Sequence, residues 1–425
     1  MNTAELYAVY LQNPSVETDT RKIKKGDLFF ALKGPNFNGN HYAQQAMEAG
    51  AAFCVCDEET AFSHNNIIFV DDVLHTLQQL AKHHRQQFSI PFIAITGSNG
   101  KTTTKELLST VLATKYITYT TEGNLNNHIG VPLTILRIKK DAEMAVIEMG
   151  ANHQKEIASY CTYCLPTHGL INNCGKAHLE GFGGEEGVKK GKGELFDFLR
   201  DTNGTAFINA DYDYLMQMSA GIQSLITYGE RHGDLNGEIV GDENLMEVTI
   251  TKGANIPCLR TQLVGDYNLP NILAAVCVGK TFDVPDDSIR QAIEGYAPSN
   301  SRSQLTQRGT NNIILDAYNA NPTSMRAAIK NFAKRPGSQK ILILGGMMEL
   351  GDASLVEHAA IVQLIEQFMW HAVVLVGKNF TDLPVSFHHF INVEQAREWY
   401  RQQQFENAEL LVKGSRSFQM ERVIE

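Results

Sequence analysis

Between Phe92 and Thr104 the chain writes a strand, a glycine loop and a helix start in immediate succession, Phe92-Ile-Ala-Ile-Thr-Gly-Ser-Asn-Gly-Lys-Thr-Thr-Thr104. An apolar run that ends in glycine and opens a helix is the layout of a phosphate-binding loop. Gly97 and Gly100 let backbone N–H groups turn toward one anion, and the helix N-terminus adds partial positive charge. In this pattern Lys101 reaches the β- and γ-phosphates, and the Thr102 hydroxyl ligates Mg²⁺. The pattern's first glycine is replaced by Ile95, so the loop is a variant. Such a loop needs a parallel sheet around it, with helices on both faces.

The rest of the chain supplies that sheet. Apolar runs at Met144–Glu148 and Gly169–Asn172 alternate with helical patterns, as do later runs at Asn312–Leu315, Lys340–Leu344, Val373–Val376 and Glu409–Val412. Before Ser89-Ile90-Pro91, shorter strand-like pieces at Leu28–Leu32, Ala52–Val55 and Ile67–Val70 surround a helix-like run, and a polar helical segment spans Leu74–Gln87. The expectation is an α/β protein of three domains: a small α/β unit over 1–88, a central parallel-sheet ATP-binding unit over 89–296 and a Rossmann-like unit over 297–425. At 425 residues the length allows three cores. The net charge of −10 argues against non-specific nucleic-acid binding. No apolar run approaches the length of a membrane span. Seven scattered cysteines suit a reducing cytoplasm. The lone Cys161-x-x-Cys164 has no second ligand pair nearby and reads as structural.

Two further residues can carry chemistry, and a lysine cluster follows them. Glu148 ends an apolar strand and, beside a phosphate loop, can hold a metal ion. His178 follows the next strand, at the mouth of the same sheet. Lys189, Lys190 and Lys192 are expected on a short helix, where composition alone reads them as a solvated basic face.

Together, Thr96-Gly-Ser-Asn-Gly-Lys-Thr102, Glu148, His178 and Lys192 resemble the Mur ligases, a family of ATP-dependent enzymes that form amide bonds. Gly123-Asn-Leu-Asn-Asn-His-Ile-Gly-Val-Pro132, Glu148-Met-Gly-Ala-Asn152, Asp316-Ala-Tyr-Asn-Ala-Asn-Pro322, Met347-Met-Glu-Leu-Gly351 and Lys413-Gly-Ser-Arg-Ser417 narrow the resemblance to one branch. That branch joins D-alanyl-D-alanine to UDP-N-acetylmuramoyl-tripeptide. The chain departs from the branch pattern at Asn38-Gly-Asn-His41, His128, Tyr267 and Gly346, outside the loop and outside the Glu148, His178 and Lys192 set.

The resemblance implies a reaction. ATP binds at Gly97, Ser98, Asn99, Gly100, Lys101, Thr102 and Thr103 and phosphorylates the tripeptide's terminal carboxylate. The dipeptide amine then displaces phosphate from the acyl phosphate. The resemblance makes Lys101, Glu148, His178 and Lys192 catalytic. One Mg²⁺ is expected at Thr102 and Glu148 and a second at His178, Glu148 and Lys192, with Lys192 carbamylated. It also places Asn268, Asn271, Arg302, Asp316, Tyr318 and Asn319 at the nucleotide. Thr20, Arg21, Lys33, Asn124, Asn126, Asn127 and Asn321 are expected at the UDP-peptide or dipeptide. A monomer is the default. The competing readings are another amide ligase of the same superfamily and a P-loop ATPase acting as a binding module.

Overall fold

The computed structural model describes every residue except 60–64, 242–244, 300 and 385. Its strands gather into three main sheets. Val16–Glu17, Leu28–Phe30, Phe53–Cys56 and Ile67–Phe69 lie side by side, all parallel. The second sheet has nine strands and carries the glycine loop. The third has six strands, parallel apart from the antiparallel pair Gln304–Arg308 and Asn311–Asp316.

In the nine-stranded sheet the loop strand, Phe92–Thr96, lies between Met144–Glu148 and His168–Ile171. From it the chain runs through the helix Lys101–Leu112 to an outer strand, Thr118–Thr120, and returns through Met144–Glu148. It then crosses to the other side of the loop strand. This reversal leaves a crevice above the carboxyl ends of the three strands, where ligands bind in open parallel sheets. Phe92–Thr96 and Met144–Glu148 are buried at every residue, as strands covered on both faces must be. The sheet ends in Leu235–Ile239, Glu247–Lys252 and Leu259–Arg260, of which the last two pair antiparallel.

The polar helix expected over Leu74–Gln87 forms as Val73–Arg85, capped by Asp72. Its Val73, Leu77, Leu80 and Ala81 are buried. It packs on the central helices Gly130–Leu136 and Glu156–Cys164, so one apolar core runs between the first two sheets. Arg85 closes this joint. Its guanidinium donates to the carbonyls of Cys164 and Leu165, at the end of the second helix, and to that of Phe88, at 2.8–3.0 Å. It also lies 3.7 Å above the centre of the Phe92 ring. The stretch that leads through Ser89-Ile90-Pro91 into the loop strand is therefore clamped at its start.

The lysine helix is a correction. It is a 17-residue helix, Glu185–Asp201, and it splits the lysines. Lys190 is exposed and Lys189 pairs with Glu186, but Lys192 falls on the apolar stripe Val188, Leu195, Phe196 and Leu199. Cys161 and Cys164 are buried free thiols, and burial pushes Cys164 up to about 12, which leaves it inert. Among the described residues no helix is long and apolar enough to cross a membrane.

Candidate active site

The loop after Phe92–Thr96 turns at Gly97 (φ 146°) and Gly100 (φ 81°). At Gly100 a Cβ would lie 2.6 Å from the Asn271 Oδ1, so only glycine fits. The loop is held from below by the end of the neighbouring strand. Ser98 N–H donates to the Asn173 carbonyl at 2.9 Å, and Asn99 N–H to the Asn173 side chain at 3.0 Å. Asn172 donates to Thr104 Oγ1 (2.7 Å), and Thr104 donates to Asn271 Oδ1 (3.0 Å). Asn271 donates in turn to Asn268 (2.8 Å), which donates to the Val264 carbonyl (2.8 Å). The side chains of Asn268 and Asn271 are thus tied into a network under the loop, at the edge of the cleft.

Lys101 donates to the Gly97 carbonyl at 2.7 Å. Burial lowers its pKa, Glu148 opposes that shift and Arg302 adds to it. Thr102 Oγ1 donates to Glu148 Oε2 at 2.9 Å, and Asn126 Nδ2 to Glu148 Oε1 at 2.7 Å. Glu148 is 1% exposed, yet no lysine or arginine among the described residues comes within ion-pair distance of it. A buried carboxylate with no contact ion pair among the described residues, beside a threonine hydroxyl, is a donor set that suits a hard divalent ion.

Lys192 is 1% exposed, and its ammonium donates to the Ala151 carbonyl at 3.0 Å. Its ammonium lies 4.9 Å from the centre of the Phe182 ring. Burial, reinforced by Lys101, lowers its pKa to about 7. His178, in a left-handed conformation, meets the Glu349 carboxylate from the third sheet's domain. That contact holds Glu349 below the usual carboxylate range. Glu349 was missed as a partner because its motif carries no sign of what it will face.

The third domain forms the opposite wall. Lys413 pairs with Asp316 at 2.6 Å, and the Arg302 guanidinium lies 3.5 Å over the Tyr318 ring. Tyr267 bonds Ser303 across the two domains at 3.0 Å. Lys176 reaches Glu357 at 2.6 Å, and Lys176 N–H donates to Thr323 Oγ1 at 3.0 Å. Between the walls lies a cavity of about 810 Å³. Ser98 to Thr103, Asn124, Asn126, Asn127, Glu148, His178, Asn268, Asn271, Arg302, Asp316, Tyr318, Asn319 and Asn321 all line it. Asn127 uses its side chain to cap Ile129 and Gly130.

Thr20, Arg21 and Lys33 do not line this cavity. Arg21 turns back onto Asp19 at 2.7 Å, and Lys33 pairs with Asp57 and Glu58 at 3.1 Å each. The described residues hold no cluster of three or more His, Cys, Asp or Glu side chains able to bind a metal ion. Any cation at Glu148 would therefore need hydroxyl and substrate oxygens as well.

Three family matches cover this architecture. The Mur ligase middle domain matches residues 95–279, the Mur ligase glutamate ligase domain matches 301–416, and the Mur ligase family catalytic domain matches 14–85. The chain belongs to the Mur ligase family. Its relatives include the UDP-N-acetylmuramoyl-tripeptide–D-alanyl-D-alanine ligase of Bacillus subtilis, 36% identical over 83% of this chain and 79% of the relative. The Escherichia coli enzyme of the same name is 34% identical over 99% of this chain and 95% of its own. Among solved structures, MurF from Acinetobacter baumannii superposes with a TM-score of 0.89 at 30% identity, covering 96% of this chain and 92% of that one. MurF ligase from Thermotoga maritima, in complex with ADP, gives 0.88 at 25% identity over 97% of each chain. This Mur ligase thus has the α/β architecture of its relatives, with the glycine loop in the domain that carries the middle-domain match.

Proposed function

We infer that this Mur ligase joins D-alanyl-D-alanine to UDP-N-acetylmuramoyl-tripeptide, using ATP and releasing ADP and phosphate, in the synthesis of peptidoglycan precursors. The observation that carries this is the cleft itself. A phosphate loop and a buried strand-end carboxylate face a second domain's lysine and arginine across a space large enough for nucleotide and peptide, in a chain whose relatives of that name align along most of its length. A free carboxylate is a poor electrophile. Transfer of the γ-phosphoryl group to it breaks the bond to ADP and installs a leaving group. The dipeptide amine then attacks the carbonyl, loses a proton and expels phosphate. The residues' part is to position and to neutralise charge.

On this reading Lys101, the loop N–H groups and Arg302 draw the phosphates into place. Asp316, Tyr318 and Asn319 close on the nucleotide from the third domain, beside Asn268 and Asn271. Asn124, Asn126, Asn127 and Asn321 face the peptide side of the cleft, while Thr20, Arg21 and Lys33 take the UDP end. Thr102 and Glu148 would hold one Mg²⁺, and His178, Glu148 and a carbamylated Lys192 a second. Bound there, the ions would offset charge on the transferred phosphoryl group. We divide the chain into domains at 88/89 and 296/297, a reading supported by the strand-free stretches between the three sheets. The enzyme acts as a monomer in the cytoplasm.

The test is phosphate release from purified protein with Mg-ATP, adding the UDP-tripeptide and the dipeptide separately and together, with product mass by mass spectrometry. Release only with both, and a pentapeptide product, is expected. Release with neither would favour a P-loop ATPase, and a different amide would mean another acceptor.

The carbamate has its own check. A buried ammonium with no carboxylate within ion-pair distance is costly, whereas an anionic carbamate suits a neighbouring cation. With ¹³C-bicarbonate, the native enzyme is expected to show a carbamate carbon resonance that Lys192→Ala lacks. The variant's activity should fall by roughly 10²-fold. Equal spectra would remove the carbamate.

A further inference from the structure

Asn321 starts the helix Pro322–Lys334 of the third domain, and both ends of its amide are engaged within the protein. Its Oδ1 accepts from Ser324 N–H at 2.9 Å, which caps the helix. Its Nδ2 donates to Asn99 Oδ1, at the tip of the phosphate loop, at 2.7 Å. Asn321 is 5% exposed and Asn99 is half-buried, so this amide pair is largely shielded from water. Asn99 is otherwise fixed through its backbone, N–H to Asn173 Oδ1 and carbonyl from Asn173 Nδ2. Its own Nδ2 is buried without a partner among the described residues, where Asn321 is the one group that orients this side chain. The adjacent contacts agree. Thr323 accepts from Lys176 N–H, and Ser98 Oγ donates to the Gly175 carbonyl at 2.8 Å. A Cβ on Gly175 would lie 2.8 Å from Thr323 Oγ1, so the two domains meet here without room to spare.

We propose that Asn321 is a positioning residue for the phosphate loop: through Asn99 it sets the loop tip when the third domain is docked, and so couples that domain to nucleotide use. The proposal rests on reading the loop as the ATP site. It takes Asn321 as acting on the nucleotide side through Asn99, in addition to lining the cleft.

The test is a double-mutant cycle on kcat/KM for ATP in the full chain. Asn321→Ser keeps an N-cap but cannot reach Asn99. Asn99→Ala removes the acceptor and leaves the backbone bonds to Asn173. Each single variant is expected to lose about tenfold, the scale of one shielded hydrogen bond. The double variant should lose the same tenfold, with melting temperatures close to the native value. Asn321→Thr, a second capping residue, should behave as Asn321→Ser does. Losses that multiply to about a hundredfold would show independent roles and overturn the coupling, as would unchanged single variants. A native enzyme that turns over no ATP would overturn the reading of the loop along with it.

Discussion

Lys101→Ala should lower phosphate release by roughly 10³-fold at saturating substrates, the scale of removing a principal charge stabiliser from a shielded site. The ammonium sits where the loop turns into its helix, 2.7 Å from the Gly97 carbonyl, with Glu148 and Arg302 as its charged neighbours. The fold should survive, because the variant removes a cation that burial disfavours. A melting temperature at or slightly above the native value is expected. Lys101→Arg should not restore the rate, since a planar fork cannot replace a compact ammonium inside a closed loop. Activity within tenfold of native in Lys101→Ala would take the residue out of the chemistry.

Arg85→Ala should have the largest effect on stability. The guanidinium joins three backbone carbonyls in one buried contact and covers an aromatic face. Two of those carbonyls end a helix and have no intrahelical donor. Removing the donor leaves them buried and unpaired and opens a cavity beside Phe92. The expected loss is about 3 kcal/mol, which lowers Tm by about 6–10 °C for a domain of this size. Arg85→Lys should recover only part of it, because one ammonium cannot span the same acceptors. A shift below about 2 °C would mean that the joint holds by its apolar core alone.

What the sequence made readable was set by local pattern. Phe92–Thr96 and Met144–Glu148 fall where the apolar runs place them, because a strand buried on both faces is apolar along its length. Strands at and near the sheet edges escape that logic. Val16–Glu17 and His388–Phe390 are short and only partly buried, and Glu247–Lys252 buries just its alternate residues Val248 and Ile250, so none reads as a continuous apolar run. Lys192 hid among lysines because composition ignores the helical period. Counting from Val188 to Leu195 and Phe196 puts it on the apolar stripe. Arg85 lay in a segment read only as a polar helix, and Glu349 in a motif that carried only the resemblance. Both owe their importance to groups far along the chain, which no local pattern encodes.

The two larger sheets share one further property. Both turn their carboxyl ends toward the cleft, so the helices that follow also begin there, Lys101–Leu112 on one side and Pro322–Lys334 on the other. Each contributes the positive pole of its dipole, and the first, which has no side-chain cap, also turns free N–H groups toward the cleft, whereas Asn321 caps the second. The side chains as a whole carry an excess of ten negative charges. Two helix N-termini therefore bring positive dipole ends to the cleft, against the net negative charge of the side chains. That attraction fades within about a helical turn. It offers no long-range pull on stray polyanions such as nucleic acid, and acts only on a phosphate chain already inside the cleft.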